Sequence, residues 1–143
     1  MNTYSIENLL GGYEVIGVTI QTEMDLYELG KKGIPKKSLI ALAQNIHMST
    51  RAITNILHIT ERTLQRKKDL DLINESISEH IIQIAEVYSQ GNDVFDTIED
   101  FQVWINASNT ALGNKKPIEL LSSRYGAQLV LDELGRIEYG VFS

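Results

Sequence analysis

Apolar residues recur along this chain at helical rather than strand spacing, and the period holds through most of its length. Leu39, Leu42, Ala43 and Ile46 fall at i, i+3, i+4 and i+7, which lines one face of an amphipathic helix. Ser38 offers an N-cap oxygen for that helix, and Pro35 after Gly33 marks a turn before it. A second short helix follows, with Ser49 or Thr50 at its start and Ala52, Ile53, Ile56 and Leu57 as its apolar face. A third, from Thr60 to Lys68, brings only Leu64 to a core, with Ile59 just ahead of its cap. A helix with so few apolar residues lies mostly on the surface.

The second half continues the pattern. A longer helix is predicted from Asn74 to Ser89, with Ile77, Ile81, Ile84, Ala85 and Tyr88 on one face and Gly91 and Asn92 as its end. Val94, Ile98, Phe101 and Ile105, with Trp104 beside them, form an aromatic-bearing stripe of the kind that packs a core. Residues 106–116 (NASNTALGNKK) read as a polar loop, and Pro117 stands where a helix can start. Ala127, Val130, Leu131 and Leu134 make the last helical face, leaving residues 135–143 as a short tail. In that tail Ile137, Tyr139, Val141 and Phe142 are interspersed with Arg136 and Glu138, and so many apolar residues must pack on this protein or on a partner. The first 30 residues yield only a short strand over Tyr13–Ile20 and a helical turn over Asp25–Leu29. The expected fold class is all-α.

Charge sharpens this picture. The formal net charge of −6 conceals three blocks: residues 1–30 carry −5, residues 31–68 carry +8, and residues 69–143 carry −9. The basic block coincides with the three short helices. Two short helices joined by a tight turn, the second exposed and basic, make the helix-turn-helix layout in which the second helix enters the DNA major groove. The turn is His58, Ile59 and Thr60, without the glycine often found there. The candidate DNA contacts are Ser49, Thr50 and Arg51 on the second helix, and Thr60, Glu61, Arg62, Thr63, Gln65, Arg66, Lys67 and Lys68 on the third. Arg62 and Arg66, at i and i+4, project from one face, and each guanidinium is a planar fork suited to guanine or phosphate.

Other chemistries find little support. There is no cysteine, so no disulfide or thiolate metal site, and His47, His58 and His80 pair with no carboxylate at a ligand or catalytic spacing. No glycine-rich phosphate loop or nucleophile beside a base is present, so an enzyme is not expected, and neither a cofactor nor a metal is called for. No signal peptide and no apolar run of membrane-spanning length are seen, which makes the cytoplasm the expected location.

From Glu28 to Ser143, about four-fifths of the chain, the sequence resembles the Xre/MbcA/ParS-type antitoxins. ELGKKGIPKKSL and ITERTLQRKK resemble the helix-turn-helix part of that family. More specific are Trp104, then a polar loop containing Ala111, Leu112 and Gly113, then PIELL, Gly126 and the closing LGRIEYGVFS. The loop departs from the family pattern, with Asn106 and Asn114 in place of a proline-bearing segment and a second glycine, and SSRYG stands where a threonine is more usual. The resemblance implies an Xre-like helix-turn-helix domain followed by a small helical toxin-binding domain. The corresponding division is an acidic segment at 1–30, a DNA-binding region at 31–72, core and dimerisation helices at 73–105, and the toxin-binding domain at 106–143.

It further implies two partners, a cognate RES-domain toxin that degrades NAD or transfers ADP-ribose, and operator DNA. Repression of its own operon by a homodimer follows, and the apolar faces of residues 74–105 call for a second copy because they exceed what one three-helix unit could cover. Arg136, Ile137, Glu138, Tyr139, Val141, Phe142 and Ser143 are the candidate toxin-binding residues, the tail covering the toxin's active site. Two alternatives remain: a helix-turn-helix transcriptional regulator with no toxin partner, and an inhibitor that has lost DNA binding.

Overall fold

The computed structural model describes residues 2–140, and helices account for its regular structure. In order they are α1 (Ile6–Leu9), α2 (Tyr13–Ile16), α3 (Glu23–Lys32), α4 (Lys36–Asn45), α5 (Thr50–Ile56), α6 (Glu61–Gln65), α7 (Glu75–Val94), α8 (Ile98–Ile105), α9 (Pro117–Leu120) and α10 (Arg124–Glu138). A 3-10 turn, Thr110–Leu112, lies between α8 and α9. Among the described residues there is no β-strand, only isolated bridges at Pro35–Leu72 and Asn109–Lys115. The fold is all-α, as the periodicity predicts.

Helix starts are set by local chemistry. Ser5, Thr22, Ser49, Thr60, Asn74, Thr97 and Ser123 each accept a bond from a first-turn N–H, satisfying a donor the helix itself cannot. Helix α4 departs from this rule, and Ser38 is not its cap. It begins at Lys36, and the N–H groups of Lys36 and Lys37 donate to the carbonyls of Asp71 (2.9 Å) and Asp69 (2.8 Å). The loop after α6 thus replaces the cap, and Ser38 is buried with its hydroxyl unpartnered among the described residues.

Helix α7 is the axis of the molecule. Helices α1, α3, α8 and α10 all pack on it, and Ile81, Ile84, Ala85 and Val87 are fully buried. Being surrounded, it buries Ser78, Ile82 and Gln83 as well as the single face predicted for it. Gly91 does not end it; the helix runs to Val94. A Cβ at Gly91 would lie 2.3 Å from the Phe101 ring, so glycine here permits the close approach of α8. Phe101 is fully buried, edge-on to Tyr88 at 5.3 Å and beside Phe95 and Trp104. Most of the apolar residues of 74–105 are covered within one chain, and Val103 is left 70% exposed.

Four further expectations are corrected. Residues 13–20 are not a strand: Tyr13–Ile16 is helical and Gly17, at φ 74°, closes it. No neighbouring strand offers an edge there, and Leu9, Leu10 and Ile16 bury themselves where α1 and α2 meet α4 and α7. The turn over Asp25–Leu29 extends into the whole of α3, started by a capping box between Thr22 and Asp25. The third helix ends at Gln65 rather than Lys68, where the Lys68 N–H donates to Asp71 Oδ2 at 2.8 Å and turns the chain. At the other end, α10 continues to Glu138, so residues 135–138 are helix and not tail.

Candidate functional site

Helices α5 and α6 meet through a turn at Leu57–Thr60, closed by the Ile59 N–H donating to the Thr54 carbonyl at 3.0 Å. His58 takes the left-handed position of that turn, at φ 58°, where glycine is the usual occupant. Ile53, Leu57 and Leu64 are buried, with α5 packed on α4 and α6 on α5. Leu64 is the one residue that α6 buries.

The remaining side chains of α6 face outward. Thr60, Glu61, Arg62, Thr63, Gln65, Arg66 and Lys68 are exposed, and Lys67 is half-buried with its ammonium donating to the Leu72 carbonyl at 3.3 Å. Arg62 and Arg66 form no ion pair among the described residues, so their guanidinium donors are open to a ligand. Thr60 Oγ1 is engaged locally, accepting from the Thr63 N–H and sharing a bond with the Thr63 hydroxyl. The Ser49 hydroxyl likewise caps α5, accepting from the Ala52 N–H at 3.0 Å. Arg51 is exposed and Thr50 half-buried. An arginine pair flanked by polar side chains on an otherwise unburied helix matches major-groove chemistry.

A second surface lies on α10. Gly126, Ala127, Val130 and Leu134 turn inward, and Tyr125, Gln128, Leu129, Asp132, Arg136 and Tyr139 turn out. Tyr125 and Tyr139 are 77% and 83% exposed, high values for aromatic rings. Of the tail residues singled out from sequence, Arg136 is exposed and pairs along its own helix with Glu133 (2.6 Å). Ile137 is half-buried, and Glu138 and Tyr139 are exposed. Val141, Phe142 and Ser143 lie outside the described residues. Sequence periodicity missed Tyr125 and Leu129. Their i, i+4 spacing, off the face of Ala127 and Val130, is the signal that could have found them.

The two surfaces are joined at the α9–α10 corner. His80, on α7, donates through Nε2 to the Leu121 carbonyl at 2.7 Å, and His58 Nε2 lies 2.7 Å from the Ser122 carbonyl. Arg124 Nε donates to Gln83 Oε1 at 2.8 Å, and its Nη1 reaches Glu79 at 3.4 Å. Burial holds the His80 pKa below the ordinary imidazole value, opposed by its bond to Leu121 and helped by Arg124 and His58 nearby. No group of three His, Cys, Asp or Glu side chains among the described residues is placed to hold a metal.

Residues 25–86 match the antitoxin Xre-like helix-turn-helix domain, and residues 90–140 match the antitoxin Xre/MbcA/ParS C-terminal toxin-binding domain. The chain belongs to the Xre/MbcA/ParS antitoxins. Members of this family are binding proteins and not enzymes. The chain is similar to the Prs ADP-ribosylating antitoxin of a Sphingobium strain, 24% identical over 123 residues, covering 79% of this chain and 77% of that one. It is also similar to antitoxin Xre of Yersinia enterocolitica, 32% identical over 87 residues, and spans 59% of the length of that relative. Residues 1–24, with α1 and α2, lie outside both family matches. No helix of the described residues is long and apolar enough to cross a membrane.

Proposed function

We propose that this antitoxin neutralises a RES-domain toxin by covering its active site with the C-terminal segment, and represses its own operon by binding operator DNA in the cytoplasm. The observation that carries the DNA half is α6, which buries only Leu64 and leaves Arg62 and Arg66 without ion-pair partners among the described residues. The toxin half is supported by the exposed face of α10 ending in Arg136, Glu138 and Tyr139, all within the residues 90–140 that match the toxin-binding domain. ADP-ribosylation in the name of the Sphingobium relative fits a partner that consumes NAD. Helix-turn-helix proteins read operators as two-fold dimers, so a homodimer on a pseudo-palindromic site belongs to this reading.

A pair of assays tests both halves. Arg62→Ala/Arg66→Ala should lose operator binding while keeping wild-type helicity, since a lost base contact costs about 1–3 kcal/mol. A double variant with wild-type affinity and salt slope would refute the assignment of α6. A chain ending at Gly140 keeps all of α10, unlike one ending at Leu134, which would remove its last turn. It should bind operator normally yet inhibit NAD consumption by the toxin of the adjoining gene less well. Equal inhibition by the two chains would move the toxin contact onto the helices.

A further inference from the structure

A left-handed backbone is unfavourable for any residue with a Cβ, and such positions persist where the surroundings require the side chain. His58 holds one at φ 58° in the turn that leads directly into α6. Glycine would relieve the backbone, but glycine has no imidazole to place 2.7 Å from the Ser122 carbonyl, 64 residues away. A carbonyl oxygen only accepts, so Nε2 carries the proton and donates. The adjacent Leu121 carbonyl accepts from His80 on α7, so the corner is gripped at successive carbonyls by two histidines from different elements.

The His58 bond joins the turn before α6 directly to the corner. Helix α5 packs on α4, and α6 packs on α5. An open cleft of about 560 Å³ runs between the α4–α5 turn and the C-terminal half, lined by Ile46, His47 and Met48 on one side and by Gln102, Asn106 and Ile118 on the other. His47 supplies an internal comparison. It has the same φ of 58° in the equivalent turn, but its side chain lines the cleft.

We propose that His58 is a positioning residue for DNA reading. Its bond to Ser122 ties the entry of α6 to the α9–α10 corner, so that the toxin-binding domain helps hold the DNA-reading helix in its working orientation. The proposal rests on the operator reading above. By linkage, anything that rigidifies the corner tightens operator binding, and operator binding rigidifies the corner in return.

The test uses the full chain, a duplex carrying the DNA immediately upstream of its own gene, and the variants His58→Gly, His58→Gln and His47→Gly. Fluorescence anisotropy reads affinity, and amide hydrogen exchange reads residues 61–66 and 121–125. His58→Gly should melt no lower than wild type, because its turn is relaxed, yet bind about fivefold more weakly. Exchange at both segments should quicken together. His58→Gln keeps a donor on a side chain of similar reach and should recover most of the affinity. His47→Gly should relax its turn without changing either readout. Binding by His58→Gly within twofold of wild type, with unchanged exchange at 121–125, overturns the proposal. If wild type does not prefer this duplex to an unrelated one, the operator reading falls by itself, and exchange alone then decides the tie: parallel quickening upholds it and unchanged exchange at 121–125 overturns it.

Discussion

Gly126→Ala and Gly135→Ala make the same chemical change twice in α10, and the surroundings predict opposite outcomes. Alanine is the better helix former by about 1 kcal/mol, so propensity alone would make both stabilising. At Gly135 an added Cβ would lie 3.9 Å from Gln90 Nε2, an ordinary contact, and the propensity gain should appear as a Tm rise of roughly 2–3 °C. At Gly126 the Cβ would sit 2.1 Å from the Leu120 carbonyl oxygen and 3.0 Å from its carbon. Those are backbone atoms, which cannot rotate aside as a side chain would. The corner must open by about 1 Å to restore ordinary separation, an overpacking strain of about 1–3 kcal/mol. Opening it also strains the bonds from His80 and His58 to the next two carbonyls, each a net contribution of about 1 kcal/mol. Strain outweighs propensity, and Gly126→Ala should melt roughly 3–8 °C below wild type. Thermal unfolding followed by circular dichroism, on both variants in one buffer, decides the matter. If Gly126→Ala melts at or above Gly135→Ala, the corner is soft and the close packing of α9 on α10 is not what glycine is needed for.

Other outcomes follow from the same geometry. His80 has a depressed pKa, so the native state keeps it neutral while the unfolded chain takes the proton; its contribution is present above about pH 6.5 and fades as pH falls below that. His80→Gln should therefore flatten the fall of Tm between about pH 6.5 and 5, and an unchanged slope would show that burial does not hold the imidazole neutral. Glu86 is shifted the other way, upward by burial and then by Glu23, so its contribution is present at acid pH and lost as pH rises through its folded pKa. Glu86→Gln should raise Tm at about pH 7 and leave it nearly unchanged near pH 4, as melts at the two pH values will show. Tyr139→Ala should weaken inhibition of the toxin several-fold, by loss of an exposed aromatic anchor, with operator affinity within twofold of wild type. Loss of operator binding in that variant would mean that the tyrosine supports the fold instead.

What could be read without coordinates was the part written in short-range pattern. Leu39, Leu42 and Ala43 announce α4, and Ser49 and Thr60 announce the starts of α5 and α6, because capping and helical period act within one or two turns. The outward face of Arg62 and Arg66 follows from the same local count. Misreadings arose where tertiary contact overrides local preference. Gly91 looks like a helix stop until Phe101 is seen packed against it. Ser38 looks like a cap until the carbonyls of Asp69 and Asp71 arrive from the following loop. Tyr13–Ile20 has strand-like residues but no strand among the described residues to pair with, and its first four residues form a turn of helix against α1 and α4. The bond from His58 to Ser122 spans 64 residues and had no local signature beyond a histidine where glycine is usual.

The two family matches stop and start at residues 86 and 90, and both positions fall inside the unbroken helix α7. A peptide cut there would leave two half-helices and lay bare Ile81, Ile84, Val87 and Tyr88, which the intact chain keeps from water. Segments of that length are not stable helices by themselves. The consequence concerns turnover: a cut inside α7 breaks an element that the cores of both matched regions share. Under the function proposed above, one such cut would free the toxin and the operator together.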